Sequence, residues 1–251
     1  MLAAPLLVAI SLDSDSPAPV LEEERAKGWT AFDQDFCQGA GVMSQEYSPY
    51  YADNATIVLD DCDLLIESGV TVLMDSGSSL RVTNGSSLTV EGEYGSPVVF
   101  SPVSEGGSWQ GISLVDQDED GDGEEYSELS MRYAIMEDGG IFADGQGTLE
   151  PIIAAIQHSE FYGSSILSTD HAFISLNNSY LYNSTAGAGN VGAFEPIFSA
   201  TNSTFVGGTL IPTSSGILRN NSLEQIEVPF HDWGGTWLGN CLVESSFADH
   251  L

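Results

Sequence analysis

The sequence Leu176-Asn177-Asn178-Ser179-Tyr180-Leu181 contains the pattern that decides the fold. An apolar residue, a polar turn and a second apolar residue return in the same order at Met131–Met136, Ile156–Phe161, Ala200–Phe205, Leu218–Leu223 and Leu238–Val243. Taking the third residue of each copy as its anchor gives Tyr133, His158, Asn178, Asn202, Asn220 and Asn240. The steps between anchors are 25, 20, 24, 18 and 20 residues. A recurrence near two dozen residues is typical of a repeat architecture.

The spacing inside one copy predicts a turn at the anchor. Apolar residues stand two before and three after it, as Leu176 and Leu181 do around Asn178. Strand side chains alternate faces with period two, so an uninterrupted strand cannot bury both. Asn tolerates the left-handed backbone that such a turn requires. Each copy gains a core only by stacking on neighbours about 4.8 Å away, which predicts an all-β, single-stranded parallel β-solenoid.

The preceding stretch, Thr56 to Glu91, consists of short apolar strands punctuated by Gly69, Gly77, Gly85 and Gly92. A family resemblance rests on the segments Ile66–Val72, Gly77–Leu80, Gly85–Gly92, Pro97–Phe100 and Trp109–Ile112. They resemble the opening module of right-handed parallel β-helix surface proteins of the pectin-lyase-like superfamily, over roughly Asn54 to Phe247. The resemblance implies a right-handed parallel β-helix. It leaves activity open, because the superfamily contains lyases, hydrolases, adhesins and proteins without known catalysis.

The chain divides by composition into five segments. Residues 1–20 resemble a truncated secretory signal and linker, since the apolar run Leu2 to Leu12 precedes a polar, proline-containing stretch. Residues 21–55 are predicted to cap the solenoid, 56–114 to form its first coils, 115–128 an acidic loop and 129–247 the Asn-marked coils. No apolar run reaches the length that spans a bilayer. We therefore expect an extracellular or cell-surface protein.

The charge is strongly one-sided, with 37 acidic against 5 basic residues and a net charge of −32. This charge argues against nucleic acid and anionic membrane surfaces as partners. Self-repulsion on this scale is tolerated where salt shortens the Debye length or divalent cations bind, so a saline or marine setting is expected. Three cysteines are too few for a disulfide framework, and one bridge, Cys37 to Cys62, is left as an option.

The densest acidic run has seven acids in the ten residues from Asp116 to Glu125. Its start, with carboxylates at Asp116, Asp118, Asp120 and Asp122, matches an EF-hand-type calcium loop. The twelfth position holds Ser127 where a bidentate Glu is expected, and no helical pattern flanks the run. The favoured interpretation is a solvated acidic excursion between coils, with a calcium site as the alternative; no cofactor is required.

An outward-facing column is predicted four residues after each anchor, at Tyr162, Tyr182, Val206, Glu224 and Glu244. Tyr162 and Tyr182, with Tyr180 nearby, would offer an aromatic platform for sugar rings, because aromatic faces combine apolar area with a polar tip. Tyrosine is also common on pleated surfaces for structural reasons. The predicted partner is a polysaccharide or a cell-surface glycan.

Catalysis is the alternative function. Glu224 and Glu244 would lie about one strand spacing apart, near the separation of a retaining glycosidase pair. The resemblance also implies polysaccharide lyases, which need a basic residue beside a carboxylate, whereas Arg132 and Arg219 lie in different copies. The favoured hypothesis is a non-catalytic scaffold or carbohydrate-binding module. A polysaccharide lyase or glycoside hydrolase of the same fold remains the alternative.

Overall fold

A computed structural model describes residues 28–38, 41–115, 127–145, 152–189, 196–211, 216–229 and 235–248. The prediction of an all-β parallel β-helix is confirmed: the strands stack in parallel from coil to coil in two extended sheets of 9 and 17 strands. Each coil passes through three ladders of strands, which we name A, B and C in the order in which the chain visits them. Ladder A is the smaller sheet, and ladders B and C are joined in the larger one.

The described strands make nine coils, preceded by β1 (Thr30–Ala31), which pairs with ladder B. Coils 1 to 3 contain β2 (Val42–Met43), β3 (Tyr50–Ala52), β4 (Thr56–Asp60), β5 (Leu64–Glu67), β6 (Thr71–Met74), β7 (Ser79–Thr83), β8 (Ser87–Glu91), β9 (Val98–Pro102) and β10 (Ile112–Val115). Coils 4 to 6 contain β11 (Glu128–Arg132), β12 (Ala134–Glu137), β13 (Gly140–Asp144), β14 (Ile152–Gln157), β15 (Glu160–Tyr162), β16 (Ser165–Thr169), β17 (Ala172–Asn177) and β18 (Tyr180–Ala188).

Coils 7 to 9 contain β19 (Ile197–Thr201), β20 (Thr204–Ile211), β21 (Ile217–Arg219), β22 (Ser222–Glu224), β23 (Glu227–Pro229), β24 (Thr236–Leu238), β25 (Cys241–Val243) and β26 (Ser246–Ala248). Strands β18 and β20 are continuous through ladders B and C, which is why these ladders form one sheet.

The core consists of columns of apolar side chains, one residue per coil. In ladder B the column is in register through Val72, Phe100, Met136, Phe161, Leu181, Phe205 and Leu223, all 1% exposed or less. Ladder A contributes Ile66, Val90, Met131, Ile156, Leu176, Ala200 and Leu218. This apolar surface is removed from water by the stacking of one coil on the next. A single coil is too short to bury its own apolar side chains.

The corner between ladders A and B is a single left-handed residue from coil 4 onward. Its φ angles are 48° to 54° at Tyr133, His158, Asn178, Asn202 and Asn220, so the predicted turn at these anchors is confirmed. In coil 9 the prediction was wrong by one residue. The left-handed residue there is Gly239 (φ 68°), and Asn240 follows it, because Ser222 pairs with Cys241. The last step is therefore 19 residues.

In coils 5 to 8 a buried polar residue follows the left-handed residue of this A–B corner. Ser159, Ser179, Ser203 and Asn221 are at most 4% exposed. The Ser159 amide donates to Ser179 Oγ (3.3 Å), the Ser179 amide to Ser203 Oγ (3.2 Å) and the Ser203 amide to Asn221 Oδ1 (2.9 Å). Each serine hydroxyl in turn donates to a carbonyl two residues earlier. Buried polar groups that are fully hydrogen-bonded in this way fix the register of coils instead of destabilising the core.

In coils 4 to 9 the corner between ladders B and C always lies the same number of residues after the corner between ladders A and B. Its left-handed residues in coils 4 to 9 are Asp138, Gly163, Asn183, Gly207, Gln225 and Glu244, each five positions after its A–B partner. Buried Ser164 and Ser184 repeat the polar ladder, since the Ser164 amide donates to Ser184 Oγ (3.1 Å). At Gly207 (φ 66°) a Cβ would overlap the Asn183 side-chain oxygen of the preceding coil, so glycine avoids both this overlap and the strain of a left-handed side chain.

The N-terminal side of coil 1 is covered by aromatic residues and a side-chain amide. Phe36 packs edge-on against Tyr50, with ring centroids 5.7 Å apart. Gln34 donates to the Val58 carbonyl and accepts from the Val58 amide, both at 2.8 Å, which satisfies the edge of β4. Cys37, in the 3₁₀ helix Gln34–Gln38, forms a disulfide with Cys62, their Cα atoms 6.1 Å apart.

Candidate functional site

The outer face of ladder B in coils 4 to 6 carries a group of side chains that we call the tyrosine patch: Glu137, Glu160, Tyr162, Tyr180 and Tyr182. Alternation along β15 and β18 directs Phe161 and Leu181 into the core and the tyrosines outward. In the strand register Glu137 lies beside Tyr162, Tyr162 beside Tyr182, and Glu160 beside Tyr180. Tyr162, Tyr180 and Tyr182, which the sequence predicts as an aromatic platform, are therefore neighbours on one surface.

The rings form a tilted cluster. The Tyr162 ring centroid is 6.1 Å from that of Tyr180 and 6.4 Å from that of Tyr182, with interplanar angles of 57° and 49°. Tyr182 is 43% exposed, and Tyr162 and Tyr180 are half-buried. These separations lie within the range of favourable aromatic pairs, so the rings support one another while their outer surfaces stay accessible.

A short hydrogen bond fixes the central ring. The Tyr162 hydroxyl donates to Glu160 Oε2 at 2.5 Å. This bond, with partial burial and the negative charges of Glu160 and Glu137, raises the pKa of Tyr162 to about 12. The phenol therefore remains protonated at any physiological pH. Glu160 is held in place beside two tyrosines rather than free in solvent.

The second carboxylate of the patch is also oriented by a neutral donor. Ser101 Oγ, in the preceding coil, donates to Glu137 Oε2 at 2.7 Å. The carbonyl of Glu137 accepts from the indole nitrogen of Trp109 at 2.9 Å, and Trp109 stacks on Phe100. Backbone and side chain of Glu137 are thus both anchored, so the patch has a defined acidic border on its N-terminal side.

Sequence reasoning missed two further rings beside the patch. Tyr133 and His158 are the left-handed A–B corner residues of coils 4 and 5, and their rings stack with centroids 4.9 Å apart and an angle of 11°. They stand two positions before Ile135 and Glu160 in sequence, at the A–B corner where ladder B begins. The signal was present in the sequence, because both aromatic residues occupy anchor positions, but the anchor was interpreted only as a turn.

The predicted column of outward residues is confirmed only in part. Tyr162, Tyr182, Val206 and Glu224 align across successive coils. The prediction that Glu244 continues this column was wrong, because Glu224 pairs with Val243. Glu244 lies instead at the B–C corner (φ 50°) and accepts from Gln225 Nε2 at 3.1 Å. The error follows from the one-residue displacement of the coil 9 anchor.

The predicted calcium ligands Asp116, Asp118, Asp120 and Asp122 lie outside the described residues. Among the residues that are described, no group of three or more His, Cys, Asp or Glu side chains is placed to hold a metal ion. Within the same parts of the chain, no helix has the length and apolarity needed to cross a membrane.

No protein-family model, curated protein or solved structure matches this chain.

Proposed function

We propose that the chain is an extracellular or cell-surface module, a right-handed β-helix of the pectin-lyase-like kind, that binds carbohydrate through the tyrosine patch without catalysing a reaction. The observation that carries the proposal is the clustering of Tyr162, Tyr180 and Tyr182 on one accessible face. The handedness and the superfamily rest on the sequence resemblance. A disulfide between Cys37 and Cys62 supports an oxidising compartment.

Aromatic platforms suit sugars because a pyranose ring has an apolar face and a polar edge. A tyrosine ring contacts the apolar face while its hydroxyl and neighbouring carboxylates accept hydrogen bonds from the sugar hydroxyls. In this chain Glu137 and Glu160 stand next to the rings and have acceptor oxygens to spare. The patch therefore offers both kinds of contact within adjacent coils.

The scaffold favours binding because it is already ordered. The patch lies between two corners that are always five residues apart, and its strands pair with neighbours on both sides. Side chains on such a framework lose little conformational freedom when a ligand binds. A solenoid also extends the surface in the direction of stacking, which suits a polymer more than a small molecule.

The test is retention of the full chain on a panel of insoluble neutral, acidic and amine-bearing polysaccharides, with product release assayed in parallel. We expect retention without product. Tyr182→Ala should weaken binding roughly fivefold, the equivalent of about 1 kcal/mol for one exposed aromatic contact.

The matched control is Tyr47→Ala, which removes another exposed tyrosine, 58% exposed, from coil 1. It should leave retention unchanged. Equal losses for both variants, or no retention on any polysaccharide, would overturn the proposal. Product release that Glu224→Gln abolishes would favour the enzymatic alternative.

A further inference from the structure

We infer that the tyrosine patch selects a glycan bearing positive charge, namely a polysaccharide with free amino groups. The inference rests on the proposed function and specifies its ligand class. Two observations support it. Within the described ranges, the two carboxylates of the patch accept hydrogen bonds only from neutral hydroxyl groups, and the outer face of ladder B has no lysine or arginine.

Both carboxylates are oriented by uncharged donors. Glu160 accepts from the Tyr162 hydroxyl and Glu137 accepts from the Ser101 hydroxyl. A neutral donor fixes a carboxylate geometrically but leaves its negative charge in place. A carboxylate has about four acceptor sites, so each retains capacity for a further donor such as an ammonium group.

No Lys or Arg occupies ladder B in the described part of the chain. The arginines that the structure describes are Arg81 in β7 of ladder C and Arg132 and Arg219 in β11 and β21 of ladder A. Among the described residues, therefore, no lysine or arginine shares the face of Glu137 and Glu160. A surface of this kind repels uronate-containing polymers and attracts cationic ones, in the same direction as the net charge of −32.

The tyrosine rings add a second attraction for the same ligand. A cation within about 6 Å of an aromatic face gains interaction energy from the ring quadrupole. Glu160 lies beside Tyr180 in the register and hydrogen-bonds Tyr162, so an ammonium group held by this carboxylate would meet both rings. An amino sugar thus makes three contacts here, namely stacking, a charged hydrogen bond and a cation–π contact. A neutral sugar makes only the stacking contact and a hydrogen bond from an uncharged donor.

The experiment compares two ligands with the same sugar backbone, one with free amino groups and one in which acetylation makes every amino group neutral; the variants below separate the effect of charge from that of the acetyl group. Oligomers of β-1,4-linked glucosamine and of N-acetylglucosamine, equal in length, are titrated into the full chain by calorimetry at mildly acidic pH and low salt. We expect the glucosamine oligomer to bind roughly tenfold more tightly. Added salt should reduce this preference, because the charges are exposed to solvent.

Variants separate charge from stacking. Glu160→Gln should bring the two affinities close to equal, whereas Tyr182→Ala should weaken both. Glu227→Gln removes one exposed carboxylate from ladder C and should leave the preference unchanged. A preference that falls equally in Glu160→Gln and Glu227→Gln would overturn the inference, because it would reflect net charge alone.

The remaining outcomes are equally decisive. If both oligomers bind with equal affinity, the inference fails and glycan binding at the patch stands. If neither oligomer nor any other polysaccharide binds, both fail. A lysine pentapeptide that competes fully with the glucosamine oligomer, and whose binding Tyr182→Ala does not weaken, would show attraction of any cation and would also overturn the inference.

Discussion

The three corners of this β-helix differ in whether the number of residues they contain varies from coil to coil. At the A–B and B–C corners of coils 4 to 9, the two left-handed residues are always five positions apart, as Asn178 and Asn183 are. The C–A connections that lead into these coils vary in length from two residues (170–171) to twelve (116–127). Variation in the repeat length is therefore confined to the third corner. Ladder B, bounded by the two constant corners, is the face whose geometry the sequence repeats most faithfully.

The difference has a physical cause. At the constant corners a buried serine accepts a backbone amide from the neighbouring coil, so an added residue would leave buried donors without partners. The C–A connections differ in length between coils, and lengthening a loop costs little closure entropy. Binding surfaces that depend on spacing are best placed on the constant face, and the tyrosine patch lies there.

The largest expected effect comes from inserting one alanine between Tyr180 and Leu181. Because strand side chains alternate, the insertion moves Leu181 out of the core and directs a tyrosine position inward. We expect a loss of more than about 4 kcal/mol in the free energy of unfolding, or no cooperative transition. The same insertion between Asn190 and Val191, in the stretch of sequence that joins β18 to β19, should cost less than about 0.6 kcal/mol.

Denaturant unfolding followed by circular dichroism measures both variants. Similar losses of stability in the two would show that the third corner is as constrained as the others, and would remove the contrast between them.

An intermediate effect is expected for Ser179→Ala. The substitution deprives the buried Ser159 amide of its acceptor and the Asn177 carbonyl of a donor. One buried unsatisfied amide costs about 1–3 kcal/mol, and a loss of this size should appear as a lower denaturation midpoint with an unchanged m-value. Ser175→Ala, on the outer face of β17 in the same coil, should change stability by less than about 0.5 kcal/mol. If the two variants matched, the buried ladder would not be what fixes these corners.

Much of this architecture could be predicted because the apolar positions and the anchor obey two simple constraints, strand alternation and one turn per copy. Those constraints gave the parallel β-helix, the left-handed residues Tyr133 to Asn220 and the adjacency of Tyr162 and Tyr182. They failed at coil 9, where Gly239 and Asn240 stand side by side. Glycine enters the left-handed region more easily than asparagine, and Gly239 takes that position.

The chemistry of the patch was less predictable, because it depends on side-chain directions. The sequence does not indicate that Tyr162 would donate to Glu160 two residues earlier, nor that Tyr133 and His158 would stack across coils. A mistake of one residue at Gly239 was enough to place Glu244 in a column that it does not join. A register error of this kind displaces every outward residue of its own coil, since each is counted from the anchor of that coil.

The smallest expected effect concerns the titration of Tyr162 on the constant face. Its pKa is raised to about 12, first by the hydrogen bond to Glu160. In an alkaline titration followed by phenolate absorbance, one tyrosine should ionise well after the exposed ones. Glu160→Gln should move that late phase toward pH 10, the value of a free tyrosine.

Because this folded-state pKa lies above the unfolded value, the stabilisation that accompanies it is fully present below pH about 10 and is lost as pH rises toward 12. The hydrogen bond joins two outward residues of one short strand, β15, between its two fixed corners. A late phase that persists unchanged in Glu160→Gln would mean that this bond does not set the ionisation of Tyr162. The ring at the centre of the patch would then not be held as rigidly as the two constant corners imply.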